Sequence, residues 1–292
     1  MKKLAILLII FFYQTTTTYS QSEKYTFHIE IKGKGKPIIL IPGLASSGKV
    51  WEETTNTLEK NFECHILTLP GFANQSAISL DKGYLPIIAK EIVKYINNEL
   101  NEKPILIGHS LGGFLSLSIA SSQPQLLKNI IIVDSYPFMS LAYDSNATVE
   151  KIIPQAKMMK EIMLSTSDSL FVQQQKRTMP TMIKDASHIQ MAMEWSMQSD
   201  RKTMAQAMYE LMTTDLRNDV EKVKIPILVL GSWYGAKDYG ITKEIVLANY
   251  KNQFLKADNC KIKVAETAKH FIMLDEPKWF INSVEAFINH EK

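Results

Sequence analysis

Short runs of β-branched and other apolar residues recur along the chain, at Ile38–Ile41, His65–Leu69, Ile105–Ile107, Ile130–Val133, Ile227–Leu230 and Lys261–Ala265. Runs this continuous are what strands covered on both faces require, because neither side of the pleat meets water. Between most of them the period changes. Leu85–Leu100 sets Ile88, Ile92, Val93 and Ile96 on one stripe at helical spacing, and Leu111–Ser121 and Trp279–Ile288 also predict helices. The N-terminal part differs. Tyr25–Ile31 alternates in polarity, and Gly33-Lys34-Gly35-Lys36 then turns the chain, which predicts a hairpin into the next strand. These glycines read as turn residues, since no Gly-Lys-Ser/Thr step into a helix follows them. The pattern predicts an α/β fold with a mostly parallel sheet and an antiparallel start.

Residues 141–220 interrupt this alternation with no convincing strand. Twelve of the fourteen methionines fall between Met139 and Met212, and Met193, Met197, Met204, Met208 and Met212 follow helical spacing. The segment predicts a helical cap over 141–215, inserted into a core formed by 21–140 and 216–292. Methionine fills irregular gaps in a core and also lines deformable apolar pockets. Both uses fit a cap over a small-molecule site.

The first residues follow another logic. Lys2 and Lys3 precede an apolar run of ten, Leu4–Tyr13, and then a polar stretch, Gln14–Ser20. This is the layout of a secretory signal peptide over 1–20, cut before Gln21. Ten apolar residues fall short of the roughly 20 that span a bilayer as a helix. The expectation is a secreted or periplasmic protein with no stable membrane insertion after cleavage; an uncleaved anchor is the alternative. Losing 1–20 removes Lys2 and Lys3 and no acid, leaving 31 basic against 30 acidic side chains. So balanced a charge recommends no nucleic-acid partner. Two cysteines are too few for a disulfide scaffold or a four-thiolate metal site. No metal site is expected.

Candidate chemistry sits at a strand-to-helix turn. Ile105–Ile107 leads into Gly108-His109-Ser110-Leu111-Gly112-Gly113 and then into an apolar helix. This is G-x-S-x-G in the context it requires, with the serine exposed on a sharp turn and the following amides aimed at the site. A serine nucleophile needs a base, and His270 lies just after the last predicted strand. His109 flanks the serine and reads as packed; His28, His65, His188 and His290 lie in strands, the cap or the chain ends. An oxyanion needs two backbone N–H groups: Leu111, next to the serine, and Leu44, in the Pro42–Ser47 loop after the first apolar run, are the candidates.

These features together resemble the α/β-hydrolase superfamily over nearly all of residues 24–290. The resemblance rests on Ile41-Pro42-Gly43 with Trp51, Leu69-Pro70-Gly71-Phe72-Ala73, Gly108–Gly113, Pro226–Gly231, and His270-Phe271 with Glu276-Pro277 and Phe280. It implies an eight-stranded, mostly parallel sheet, a Ser–His–acid triad, no cofactor and hydrolysis of ester-like bonds. Pro42 departs from the His-Gly pair of many relatives. The acid segment is irregular too. Family placement after the strand at Ile227–Leu230 points first to Asp238, at the end of a long loop; Asp134, at the end of the strand before, is the alternative. The implied strand order sets Cys64 and Cys260 about five strands apart, so two free thiols are expected.

The resulting expectation is a Ser110–His270–Asp238 serine hydrolase acting through an acyl-enzyme on small apolar esters. Thioester, amide or C–C bond hydrolysis are close variants. Ser110 argues against haloalkane dehalogenation, which uses an aspartate nucleophile in this superfamily. The reading from another class is a non-catalytic protein that keeps the fold to bind a small apolar ligand.

Overall fold

A computed structural model describes residues 24–290; the predicted leader over 1–20 lies outside them. The strands are β1 (His28–Lys32), β2 (Lys36–Ile41), β3 (Phe62–Thr68), β4 (Ile105–His109), β5 (Asn129–Val133), β6 (Ile227–Gly231) and β7 (Cys260–Val264). They form one sheet in the order β1-β3-β2-β4-β5-β6-β7. Only β1 is antiparallel to its neighbour. Each of the six apolar runs is a strand. The described residues contain seven strands, where the resemblance implies eight. Ahead of β1 the chain turns instead of pairing, and Tyr25 and Phe27 pack their rings on Tyr95, with centroids 5.1 and 6.0 Å away.

The expected hairpin does not form. β1 pairs with β3, Ile31 opposite His65, and β3 lies between β1 and β2. The two strands joined by Gly33–Gly35 are therefore separated by a third, and the connection crosses its end. It passes so close to the backbone that a Cβ at Gly33, where φ is +77°, would lie 2.3 Å from the Phe62 carbonyl oxygen. The turn residues were legible, but the crossing depends on a strand thirty residues further on.

Helices cover both faces. They are α1 (Glu52–Leu58), α2 (Leu85–Glu99), α3 (Leu111–Ser122), α4 (Val149–Ser165), α5 (Asp168–Met182), α6 (Ala186–Met197), α7 (Arg201–Thr213), α8 (Lys243–Gln253), α9 (Ile272–Asp275) and α10 (Pro277–His290). Strand alternation divides the core. Ile39, Leu106, Ile132 and Val229 face α2, α3 and α8, while Ile38, Ile107, Val133 and Leu230 face Trp51, α1 and α10. Burial on both faces, at about 25 cal/mol per Å² of apolar surface, is why the strand runs lack polar alternation.

Helices α4–α7 fill the segment between β5 and β6. Each starts on a side-chain cap: Thr148, Ser167, Asp185 and Asp200 accept amide hydrogens from the second or third residue of the helix that follows. The methionines divide. Met179, Met204 and Met212 are buried as core filler, whereas Met158, Met159 and Met197 are exposed. Helix α2 has no side-chain cap of its own; Glu210 of α7 accepts from Tyr84 N at 2.8 Å and Leu85 N at 2.7 Å.

Cys64 on β3 and Cys260 on β7 are free and five places apart in the strand order. Burial pushes both thiols up to about 12. The thiolate is the reactive form. Ellman's reagent at about pH 8 should therefore leave the folded protein unmodified and titrate two thiols after unfolding in guanidinium. One or no thiol in the unfolded, non-reduced chain would contradict this strand arrangement.

Candidate active site

The elbow is built by close approach of backbones. β4 ends at His109 and α3 begins at Leu111, leaving Ser110 between them at φ 52°, ψ −114°, a conformation rare outside glycine. The motif glycines permit it. A Cβ at Gly108 would lie 2.1 Å from the Gly112 carbonyl oxygen, and one at Gly112 would lie 2.2 Å from the Ile41 carbonyl oxygen. The turn is held by Ser110 N–H donating to the Val133 carbonyl at 2.8 Å. Such strain persists only where the surroundings over-determine it. It leaves Ser110 half-buried at the N-terminus of a helix, where unpartnered amides favour negative charge.

Leu111 is the first residue of α3, so its amide has no partner within the helix. The loop after β2 closes over the same point: a Cβ at Gly43 would lie 3.2 Å from Ser110 Cβ. Leu44 follows, half-buried, with its carbonyl accepting from Ser46 Oγ at 3.2 Å. Leu111 is thus next to Ser110 in the chain, and Leu44 follows the glycine that closes on it.

His270 enters from the loop after β7 and is pinned from two sides. On the core side, its carbonyl accepts from His109 Nε2 at 3.1 Å, and the two imidazoles lie 4.5 Å apart. A carbonyl only accepts, so the proton of His109 is on Nε2, and its buried Nδ1 has no protein partner. Burial, and then the neighbouring His270, hold His109 well below the ordinary histidine range and keep it neutral. On the other side, Phe271 N donates to the Met182 carbonyl at 3.2 Å, and Lys269 Nζ donates to carbonyls of Pro180 and Ile183 at the end of α5.

The carboxylate against His270 belongs to Asp134, and this corrects the first choice made from the sequence. Asp134 follows β5 at φ 47°, and its Oδ2 accepts from His270 Nδ1 at 2.7 Å. Asp238 is exposed, in a short 3-10 helix over Tyr234–Tyr239. Beyond Ser232 the chain leaves the sheet: Trp233 Nε1 donates to the Glu266 carbonyl at 3.0 Å, and Gly235 packs on the Thr181 backbone of α5. The long step from Gly231 carries Asp238 past the imidazole into solvent, whereas Asp134 is fixed at a strand end.

Sequence reasoning missed the residues that hold this carboxylate. Ser232 donates from its amide to Asp134 Oδ1 at 2.7 Å and from Oγ to Oδ2 at 2.8 Å. Tyr250 of α8 donates from its hydroxyl to Oδ1 at 2.9 Å. Ser232 carried a signal, a small polar residue directly after β6; Tyr250, mid-helix, carried none. An ionised Asp134 only accepts, so it draws the imidazole proton to Nδ1 and leaves Nε2 of His270 as an acceptor. Among the described residues no group of three or more His, Cys, Asp or Glu side chains is placed to hold a metal ion.

A family model described as the α/β hydrolase fold matches residues 36–277. A pimeloyl-[acyl-carrier protein] methyl ester esterase of Aliivibrio fischeri (strain MJ11) is 25% identical over 261 residues, covering 89% of this chain and 96% of that protein. Among solved structures, a bromoperoxidase from Bacillus anthracis matches with a TM-score of 0.75 and 17% identity over 90% of this chain and 95% of that one. A hydrolase from Pseudomonas aeruginosa PA01 matches with a TM-score of 0.74 and 13% identity over 92% and 96%. At these identities the two structures speak for the fold alone.

The geometry predicts the tautomer of His270. Nitrogen-15 NMR should find its proton on Nδ1 in the parent and in Asp238→Asn, and a changed distribution in Asp134→Asn. A change confined to the Asp238 variant would restore the assignment made from sequence.

Proposed function

The chain belongs to the α/β-hydrolase family, and on that premise we propose that it is a serine hydrolase of carboxylic ester-like bonds. Ser110 attacks the carbonyl carbon while His270 Nε2 takes its proton. Asp134, in place of Asp238, holds the imidazole and stabilises its cation. The amides of Leu44 and Leu111 receive the oxyanion. His270 then protonates the leaving group, and water releases the acyl group by the same steps. The observation that carries this reading is the 2.7 Å bond from His270 Nδ1 to Asp134, made by an imidazole packed on the residue next to the half-buried elbow serine. Curated relatives named as methyl ester esterases support an ester in preference to an amide. The substrate is a small ester with an apolar acyl or alcohol part, a reading supported by the methionine-rich helices between β5 and β6. A secreted or periplasmic location is supported by the leader pattern of residues 1–20.

Ser110→Ala tests the nucleophile. Loss of a triad serine costs on the order of 10⁶ in turnover. The variant should stay folded, lose p-nitrophenyl ester hydrolysis and fail to label with a fluorophosphonate. Activity within about tenfold of the parent would exclude the triad on that scale. A folded parent that neither labels nor hydrolyses esters would instead point to a binding protein.

Chain length tests the substrate. Each methylene that finds an apolar contact is worth about 0.8 kcal/mol, close to fourfold. Butyrate to octanoate esters should therefore exceed acetate in kcat/KM. A steep preference for acetate would mean that the α4–α7 segment leaves no room for an acyl chain.

A further inference from the structure

We propose that Tyr250 is a positioning residue for the reaction at Ser110, holding the Asp134 carboxylate so that Oδ2 faces His270, with Ser232 as the second arm of the same clamp. The inference rests on the reading of Ser110, His270 and Asp134 as a triad and adds the device that orients its acid.

The carboxylate accepts from two donors on each oxygen. Oδ1 receives Ser232 N at 2.7 Å and the Tyr250 hydroxyl at 2.9 Å; Oδ2 receives Ser232 Oγ at 2.8 Å and His270 Nδ1 at 2.7 Å. A carboxyl group rotates readily about its terminal torsion, whose wells are broad. Two fixed donors on Oδ1 remove that freedom and assign Oδ2 to the imidazole. Asp134 itself is planted at φ 47°, so backbone and carboxyl are both constrained.

The clamp is rigid because Tyr250 cannot swing. Its side chain is fully buried. One side packs on β6, where a Cβ at Gly231 would lie 2.3 Å from the ring, so only glycine admits it. The ring of Tyr136 stacks on it with centroids 4.1 Å apart and planes 9° from parallel. Phenylalanine would meet the same packing demand without bringing a hydroxyl into the core, where it needs a partner. It donates to the acid, and the hydroxyl of the stacked Tyr136 is hydrogen-bonded to it as well. Burial, and then the Asp134 charge, push the Tyr250 phenol well above its ordinary range, so it stays a neutral donor wherever an esterase is assayed. The charged or titratable groups facing Asp134 are His270 from the β7 loop, Tyr250 from α8, and Tyr136 and Tyr143 from the segment after β5.

The experiment is a mutant cycle of Tyr250→Phe with Asp134→Asn, reading kcat, KM and the pH profile of kcat/KM on a p-nitrophenyl ester. Tyr250→Phe should lower kcat by about tenfold to a hundredfold, the range for outer partners that orient a histidine, with KM within about twofold. The acid limb should move to higher pH, because a carboxylate short of one donor favours the imidazolium more strongly. On the Asp134→Asn background, which itself loses about a thousandfold or more, the second substitution should cost no more than about twofold. A Tyr250→Phe enzyme with parental kcat and an unmoved pH profile overturns the proposal and leaves the triad standing. So does the full loss repeated on the Asp134→Asn background, since Tyr250 would then act elsewhere. Parental activity in Asp134→Asn overturns both readings. If circular dichroism shows Tyr250→Phe unfolded, 3-fluorotyrosine at position 250 decides instead: a stronger donor to Oδ1 in the same packing should move the acid limb to lower pH, and an unmoved limb overturns the proposal.

Discussion

The site depends on how the parallel strands end. Beyond the last residue of β4, β5 and β7, the chain makes one more hydrogen bond to a neighbouring strand. Ser110 N reaches the Val133 carbonyl, Asp134 N the Leu230 carbonyl and Ala265 N the Gly231 carbonyl. These bonds step sideways across the sheet and fix where each loop departs. Ser110 and Asp134 both leave at positive φ, which turns their side chains out of the strand direction and above the sheet edge. A ladder of backbone bonds, whose register is set by buried apolar faces on both sides, thus supplies the coordinates on which the proposed chemistry is laid out.

That origin explains what could be read in advance. The elbow was legible because its determinants are local: an apolar strand, two glycines at fixed spacing and an apolar helix, all within Ile105–Ala120. The six apolar runs were legible for the same reason, since two-sided burial marks each one separately. What failed was long-range. The Gly33–Gly35 turn looks like a hairpin in isolation, and only the insertion of β3 between its arms shows otherwise. Asp238 and Asp134 were both in view, and the choice turned on where the chain after Ser232 packs, against Thr181 and Glu266, which no local pattern encodes. Tyr250 and Glu210 were invisible because a helical residue gives no sign of the distant group its side chain will meet.

The imidazole loop shows how such long-range contacts combine. His109 holds the His270 carbonyl from the core side, while Phe271 and Lys269 bind backbone at the end of α5. The residues on either side of His270 are thereby tied to the segment between β5 and β6, and His270 itself to the elbow. Neither tie uses the imidazole nitrogens, which stay available to Asp134 and Ser110. Orientation of the ring and its chemistry are assigned to different atoms of one short stretch of chain.

Glu210 bears on modularity. By accepting the first amides of α2, it makes a side chain of the four-helix insertion the N-terminal cap of a helix whose Ile88, Ile92 and Tyr95 lie deep against the sheet. The insertion and the sheet layers are therefore not interchangeable parts. A graft of the corresponding segment from a relative would, unless it carried a carboxylate at the same place, leave buried donors at the start of α2 empty. In this chain the four helices are part of the masonry of the sheet layers, and exchanging them would disturb a core helix.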